Sequence, residues 1–248
     1  MGQVSVTVGL KVWGDDVEME MTLPAGPARL ESLLPAFQQV ADGLVGLGVE
    51  RAREQGRTVS CRKGCGACCR QIVPISEVEA RRIGRLVEEL PEPRRQEVRA
   101  RFARARERFA EAGLLTKLEN REGLGEGEIA SFGLAYFHLG VPCPFLEEES
   151  CSIHADRPIS CREYLVTSPA AICADPKPGA IELVEMPAKV WTALARAGAV
   201  DPPARFIPWV PLILAPDWAS THPDESEPRP VEEVFKSVFD ELGRQRRG

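Results

Sequence analysis

Cys61, Cys65, Cys68 and Cys69 lie within nine residues, and Cys143, Cys151, Cys161 and Cys173 follow downstream. No other feature constrains the chain as strongly. A thiolate must shed its proton to act as a ligand, and a soft metal or an iron–sulfur cluster makes that loss favourable. Gly64, Gly66 and Ala67 sit among the first four cysteines, and residues this small let the backbone turn tightly around a bound group. Inert core cysteines, by contrast, occur singly on apolar periodic faces and not crowded into glycine-rich loops. The chain begins Met-Gly-Gln-Val-Ser-Val, which alternates in polarity and lacks the basic flank and apolar stretch of a secretory signal. The expected location is therefore the cytoplasm, where thiols are kept reduced and a disulfide framework is disfavoured. All eight cysteines become candidate metal ligands.

The 248 residues are 44% hydrophobic and 6% aromatic, enough for one sizeable core or two small ones. A net charge of −6 argues against a surface built as a whole to hold nucleic acid or anionic lipid. The longest apolar run, Ile207 to Ala215, is interrupted by Pro208 and Pro211 and falls far short of the roughly 20 residues that cross a bilayer. No membrane partner is expected.

Val4, Val6, Val8, Leu10 and Val12 alternate with mostly polar residues, as do Val17, Met19, Met21 and Leu23 after Gly14-Asp15-Asp16, which predicts a β-hairpin. Leu30, Leu33, Leu34, Phe37, Val40, Ala41, Leu44 and Val45 predict a helix from about residue 28 to 54, with Pro35 as a kink or as its true start. Ser76-Glu77-Val78-Glu79 has capping-box spacing and opens a helix that ends at Pro91. A second follows over about 93 to 112. Residues 113 to 130, rich in Gly and Glu, read as a loop, and 140 to 180, dense in Pro and Cys, as sparse in regular structure. Pro187 predicts a helix start reaching about Ala197, residues 202 to 218 read as irregular, and the last helix is expected over about 229 to 245. The expected fold class is mainly α, a small α+β arrangement with an N-terminal β-hairpin and Cys/Pro-rich metal-binding loops. Its expected divisions are a hairpin over 1–24, a single helical cysteine-cluster domain over 25–218 and a C-terminal linker and amphipathic helix over 219–248.

Spacing leaves the metal open. Structural zinc sites usually draw two C-x2-C knuckles from separate loops, whereas the first group here is a compact C-x3-C-x2-C-C. Iron–sulfur centres are often held by three close cysteines and a distant fourth, sometimes in a Cys-Pro pair such as Cys143-Pro144. An iron–sulfur cluster is the favoured cofactor and a zinc or iron ion the alternative. Arg157 and Arg162 flank Cys161 and are candidates to offset the negative charge of a thiolate centre. The same first group has the spacing used by radical S-adenosylmethionine enzymes, but two consecutive helices follow it instead of strand–helix units.

Cys61-x3-Cys65-Gly66-Ala67-Cys68-Cys69, then Cys143-Pro144-Phe145-Leu146, Cys151, Arg157-Pro158 and Cys161-Arg162, in that order, resemble the cysteine-cluster family of zinc- or iron-chelating domains over about residues 58 to 175. The resemblance implies that these cysteines chelate metal. The family usually carries Tyr at the position of His154, so His154 reads as a loop histidine beside the site. The resemblance extends to the cysteine region of flagellin lysine N-methylases, which implies an alternative, S-adenosylmethionine-dependent lysine methylation, although no nucleotide-binding glycine signature is present. A further alternative, a zinc-dependent nucleic-acid adaptor, rests on the ten Arg against five Glu between Arg81 and Arg108, with Arg99 and Arg106 among them. Arg and Glu at helical spacing without interleaved aromatics read instead as a solvated helix face, so nucleic acid is not the expected partner.

Overall fold

The alternating valines form the hairpin that their spacing predicts. In the computed structural model, which describes residues 2–120, 123, 126–199 and 206–245, β1 (Gln3–Val12) and β2 (Asp15–Pro24) pair antiparallel from Gln3↔Pro24 to Val12↔Asp15. The turn is Trp13-Gly14, one step earlier than the break in alternation suggested, with φ of 50° and 104°. That left-handed pair matches the twist of the flanking strands. Val12, Met21 and Leu23 are buried on the inner face, which lies on α1 (Leu34–Glu54). Pro35 stands in the first turn of α1 and starts it, while residues 30–33 form a 3-10 turn where helix was expected. A short strand, β3 (Pro27–Ala28), joins the hairpin to this turn.

After the first cysteines, β4 (Pro74–Ile75) leads to Ser76, which caps α2 (Glu77–Glu89) through the expected capping box. α3 (Arg94–Glu111) follows, ending just before Gly113. Residues 113–130 are not simply a loop, because α4 (Leu115–Glu119) and the start of α5 (Glu126–His138) occupy much of that stretch. The cause is tertiary: Leu118, Phe132 and Tyr136 bury against Phe109, and that gain outweighs the local glycine content. Short elements carry the remaining cysteines, namely β5 (Leu146–Glu147), β6 (Ser150–Cys151), α6 (Ile159–Glu163) and α7 (Ala170–Ala174). α8 (Val190–Gly198) begins later than Pro187 predicted, at the point where a Glu163 carboxylate oxygen accepts from Val190 N at 2.6 Å. β7 (Val210–Pro211) pairs with β4, and α9 (Ala215–Thr221) adds helix to a stretch expected to be irregular, whose residues 202–205 lie outside the described ones. β8 (Arg229–Pro230) pairs with β3 and leads into α10 (Val231–Arg244). The described chain is thus mainly helical with a small β component, as expected, and none of its helices is long and apolar enough to cross a membrane.

Three apolar clusters organise these elements. The hairpin, α1, α8 and α10 share the first, where Phe37 stacks on Phe235 at 5.2 Å. α2 and α3 form the second with Phe145, Ile153 and Leu212, and the third gathers Phe109, Leu118, Tyr136, Val141 and Leu214. The downstream cysteine segment threads all three: Val141 enters the third, Phe145 and Ile153 the second and Ile159 the first. Burying one such side chain contributes roughly 1.5–3 kcal/mol, so the segment is anchored between its cysteines more firmly than its Pro-rich sequence suggested.

Candidate metal centre

The centre is built around the 3-10 turn Ala67–Arg70, which carries Cys68 and Cys69. One arm reaches it from the β5–β6 hairpin. Cys143 N donates to Cys69 O at 2.7 Å, and Arg70 donates to both Glu149 carboxylate oxygens, at 3.0 and 2.6 Å, and to Gly66 O. The hairpin presses directly on Gly66, where a Cβ would stand 2.5 Å from Glu149 Oε2 and 2.8 Å from Leu146 Cδ1. A second arm comes from the other direction. Ser60 N donates to Val166 O at 2.9 Å, Thr167 N to Glu182 O at 2.9 Å, and α7, bearing Cys173, packs on the turn. α6, bearing Cys161, is held by Glu79 of α2. Its buried carboxylate accepts from Ser76 N and Ser76 Oγ with one oxygen and from Ile159 N at 2.7 Å with the other. The capping box was legible in the sequence; its third bond, across 80 residues, was not.

All eight cysteines are free thiols. Cys68 is hydrogen-bonded to Cys69, and this bond, with burial, pushes its thiol far up. Burial raises Cys61, Cys151, Cys161 and Cys173, and pushes Cys143 up to about 12. These six metal-free thiols therefore hold their protons at neutral pH. Cys173 feels the charges of Cys61, Cys65 and Cys68, and Cys161 those of Cys143, Cys151 and Cys68. The fold thus brings the two cysteine groups together, although among the described residues no three His, Cys, Asp or Glu side chains already stand in ligating geometry.

The surroundings fit a thiolate centre. Arg157 Nε and Ser160 Oγ are buried with no hydrogen-bond partner, and each belongs to a residue close in sequence to Cys161. An orphaned buried donor costs about 1–3 kcal/mol, and metal-bound thiolate sulfur is an acceptor that would relieve it. The Arg157 charge also favours the thiolates of Cys61, Cys68 and Cys151. Arg162, its companion in the sequence reading, is spent elsewhere: it donates to Asp42 at 2.7 Å, to Arg157 O at 3.0 Å and to Ala155 O. His154 is exposed in a 3-10 turn, and the charges of Arg157 and Arg162 hold its imidazole below the usual range. Tyr164, which sequence reasoning did not single out, lies against Gln71 and within electrostatic reach of Cys173, Cys68 and Cys61. The arginines of α2 and α3 are largely ion-paired, often between elements: Arg85 with Glu31, Arg94 and Arg101 with Glu147, and Arg106 with Asp217.

A mainly helical domain that converges reduced cysteines from separate segments on one glycine-flanked turn has the make-up of a metal-chelating domain. Residues 60–179 match the model of the CxxCxxCC family, described as a putative zinc- or iron-chelating domain. No curated protein and no solved structure matches the chain.

Proposed function

We propose that this is a cytoplasmic metal-binding protein that chelates an iron–sulfur cluster, or else a zinc or iron ion, through its clustered cysteines in a structural or redox role. The observation that carries the reading is the approach of the two cysteine groups at the Ala67–Arg70 turn, where Cys143 N donates to Cys69 O and α7, bearing Cys173, packs. The compact C-x3-C-x2-C with distant further cysteines favours the cluster over a two-knuckle zinc site. Cys61, Cys65, Cys68, Cys69, Cys143, Cys151, Cys161 and Cys173 form the ligand pool, and Arg157 offsets its charge. The paired arginines of α2 and α3 give a nucleic-acid reading little support.

Purification without oxygen, with iron, sulfide and zinc analysis and a visible spectrum on the same sample, tests this. Matching iron and sulfide in brown protein supports the cluster, and stoichiometric zinc in colourless protein supports the ion. Protein that is free of metal and that takes up none on reconstitution overturns the reading. Cys65→Ser and Cys68→Ser are expected to abolish metal retention and lower thermal stability together.

A further inference from the structure

We propose that β1 is a dimerisation edge, which pairs antiparallel with β1 of a second copy of this chain and joins the two hairpins into one sheet. Among the described residues β1 is paired with β2 alone, in a sheet of two strands. The two edges of that sheet differ. α1 and the 3-10 turn before it pack on β2, and Gln39 Nε2 of α1 donates to Glu20 O at 3.0 Å, so a helix covers the β2 edge. A carbonyl taken by α1 points away from β1, which marks Thr7↔Glu20 as a pair without mutual ladder bonds. The two-residue turn gives the same alternation, because it makes Val12↔Asp15 a bonded pair. Gln3, Ser5, Thr7, Gly9 and Lys11 therefore aim their backbone N–H and C=O groups at the uncovered side.

β1 also lacks the devices that blunt an edge strand. Its ten residues pair without a bulge and include no Pro, no acid and a single charge, Lys11. Val4 is 43% exposed, and Val6, Val8 and Leu10 are only partly buried against the core, so an aliphatic row stays partly in water along this edge. The strand is complementary to itself. With Thr7 opposite Thr7 of the second copy, Val4 meets Leu10, Val6 meets Val8, Ser5 meets Gly9 and Lys11 meets Gln3. Thr7 then stands in a bonded pair, as its outward-aimed groups require, aliphatic residues meet on one face, and no two charges are opposed. A parallel pairing in register would instead stack Lys11 on Lys11, and two β2 edges would set Asp16, Glu18 and Glu20 against acids of the same kind. Pairing through β1 leaves both acidic strands at the outer edges, which limits repulsion between chains that each carry a net charge of −6.

Sedimentation equilibrium of the full chain under reducing conditions, from micromolar to millimolar concentration, tests this. The expected result is a monomer–dimer equilibrium whose dissociation constant rises roughly tenfold when Thr7→Lys and Gly9→Lys are combined, because like charges then face each other across the two-fold axis. Both positions are exposed, and a Cβ at Gly9 meets nothing within 4 Å, so the hairpin itself accommodates the change. Amide exchange followed by NMR needs no variant. As concentration rises, the amides of Ser5, Thr7 and Gly9 are expected to slow markedly, while those of Val6 and Val8, already bonded to β2, change far less. A monomer throughout, or a dimer in which the first three amides stay fast, would overturn the proposal. So would a dimer that dissociates when a chelator strips the metal, since its contact would run through the cysteines. None of these outcomes bears on whether the cysteines chelate metal.

Discussion

Glu163 shows what a single buried side chain can impose on this site. One of its oxygens accepts from Val190 N, the other is buried without a partner, and burial pushes the carboxyl up to about 8 from 4.5. A carboxyl with a raised folded pKa binds its proton more tightly in the folded state. Its contribution is therefore complete below about pH 4.5 and is lost as pH rises toward 8. Metal chelation has the opposite slope, because thiolates form more readily at high pH. Glu163→Gln keeps an acceptor for Val190 N and removes the titration. Urea denaturation at matched metal content is expected to show stability of the unaltered protein falling relative to Glu163→Gln between pH 5 and pH 8. Parallel pH curves would contradict this. At the same scale, the candidate ligands stand out in the sequence as cysteines in two groups, whereas Gln71, Tyr164, Glu79 and Glu163 do not. Their roles depend on burial and on bonds across the fold, and no local spacing encodes either.

Elements were legible where one face supplies their energy. β1, β2, α1, α2, α3 and α10 follow the periodicity of their apolar residues, and the capping box fixes the start of α2. α4, α5 and α9 escaped because they bury apolar residues against partners distant in sequence, inside stretches whose Gly and Pro content points to loop. Two element-scale tests follow. Glu79→Ala removes the acceptor that ties the N-terminus of α2 to that of α6, leaving Ser76 N and Ile159 N unsatisfied. Equilibrium unfolding is expected to register a loss of about 2–4 kcal/mol, together with weaker metal retention through displacement of Cys161. A normally stable variant with normal retention would show that Glu79 does not position α6. Gly66→Ala drives a methyl group into Leu146 and Glu149, so the β5–β6 hairpin must shift at a cost of about 1–3 kcal/mol. Cys143 and Cys151 are then expected to become more reactive to alkylation while Cys173 changes little, a difference that mass mapping of modified peptides reads directly.

For the whole molecule, the question is how far the fold depends on its metal. The Pro- and Cys-rich stretch 140–180 reads in the sequence as a segment that few apolar residues hold and that should lose order without metal. The structure divides it instead. Val141, Phe145, Ile153, Ile159 and Val166 are each no more than 9% exposed, so apolar burial anchors the segment at these points. The tip of the hairpin at 148–151 and α7, whose sole buried residue is Cys173, have little apolar anchorage of their own. On the proposed chelation, the metal would act as a local clasp on the helical body, closing the hairpin and α7 against the Cys68 turn. Stripping the metal under reducing conditions is expected to raise amide hydrogen exchange at 148–151 and 168–180 by an order of magnitude or more, while amides near Phe145 and Ile159 and in α1 and α3 keep their protection. Because the protonated thiols must ionise to bind, titrating the ion back by calorimetry in buffers of different ionisation enthalpy should release about one proton per thiolate engaged. Collapse of protection across α1, α2 and α3 on metal removal would instead make the metal the organiser of the entire fold. The apolar clusters weigh against that outcome, since α1 packs on the hairpin, α8 and α10 as well as on α6, and α2 and α3 pack on each other, with α2 also on α8 and α9.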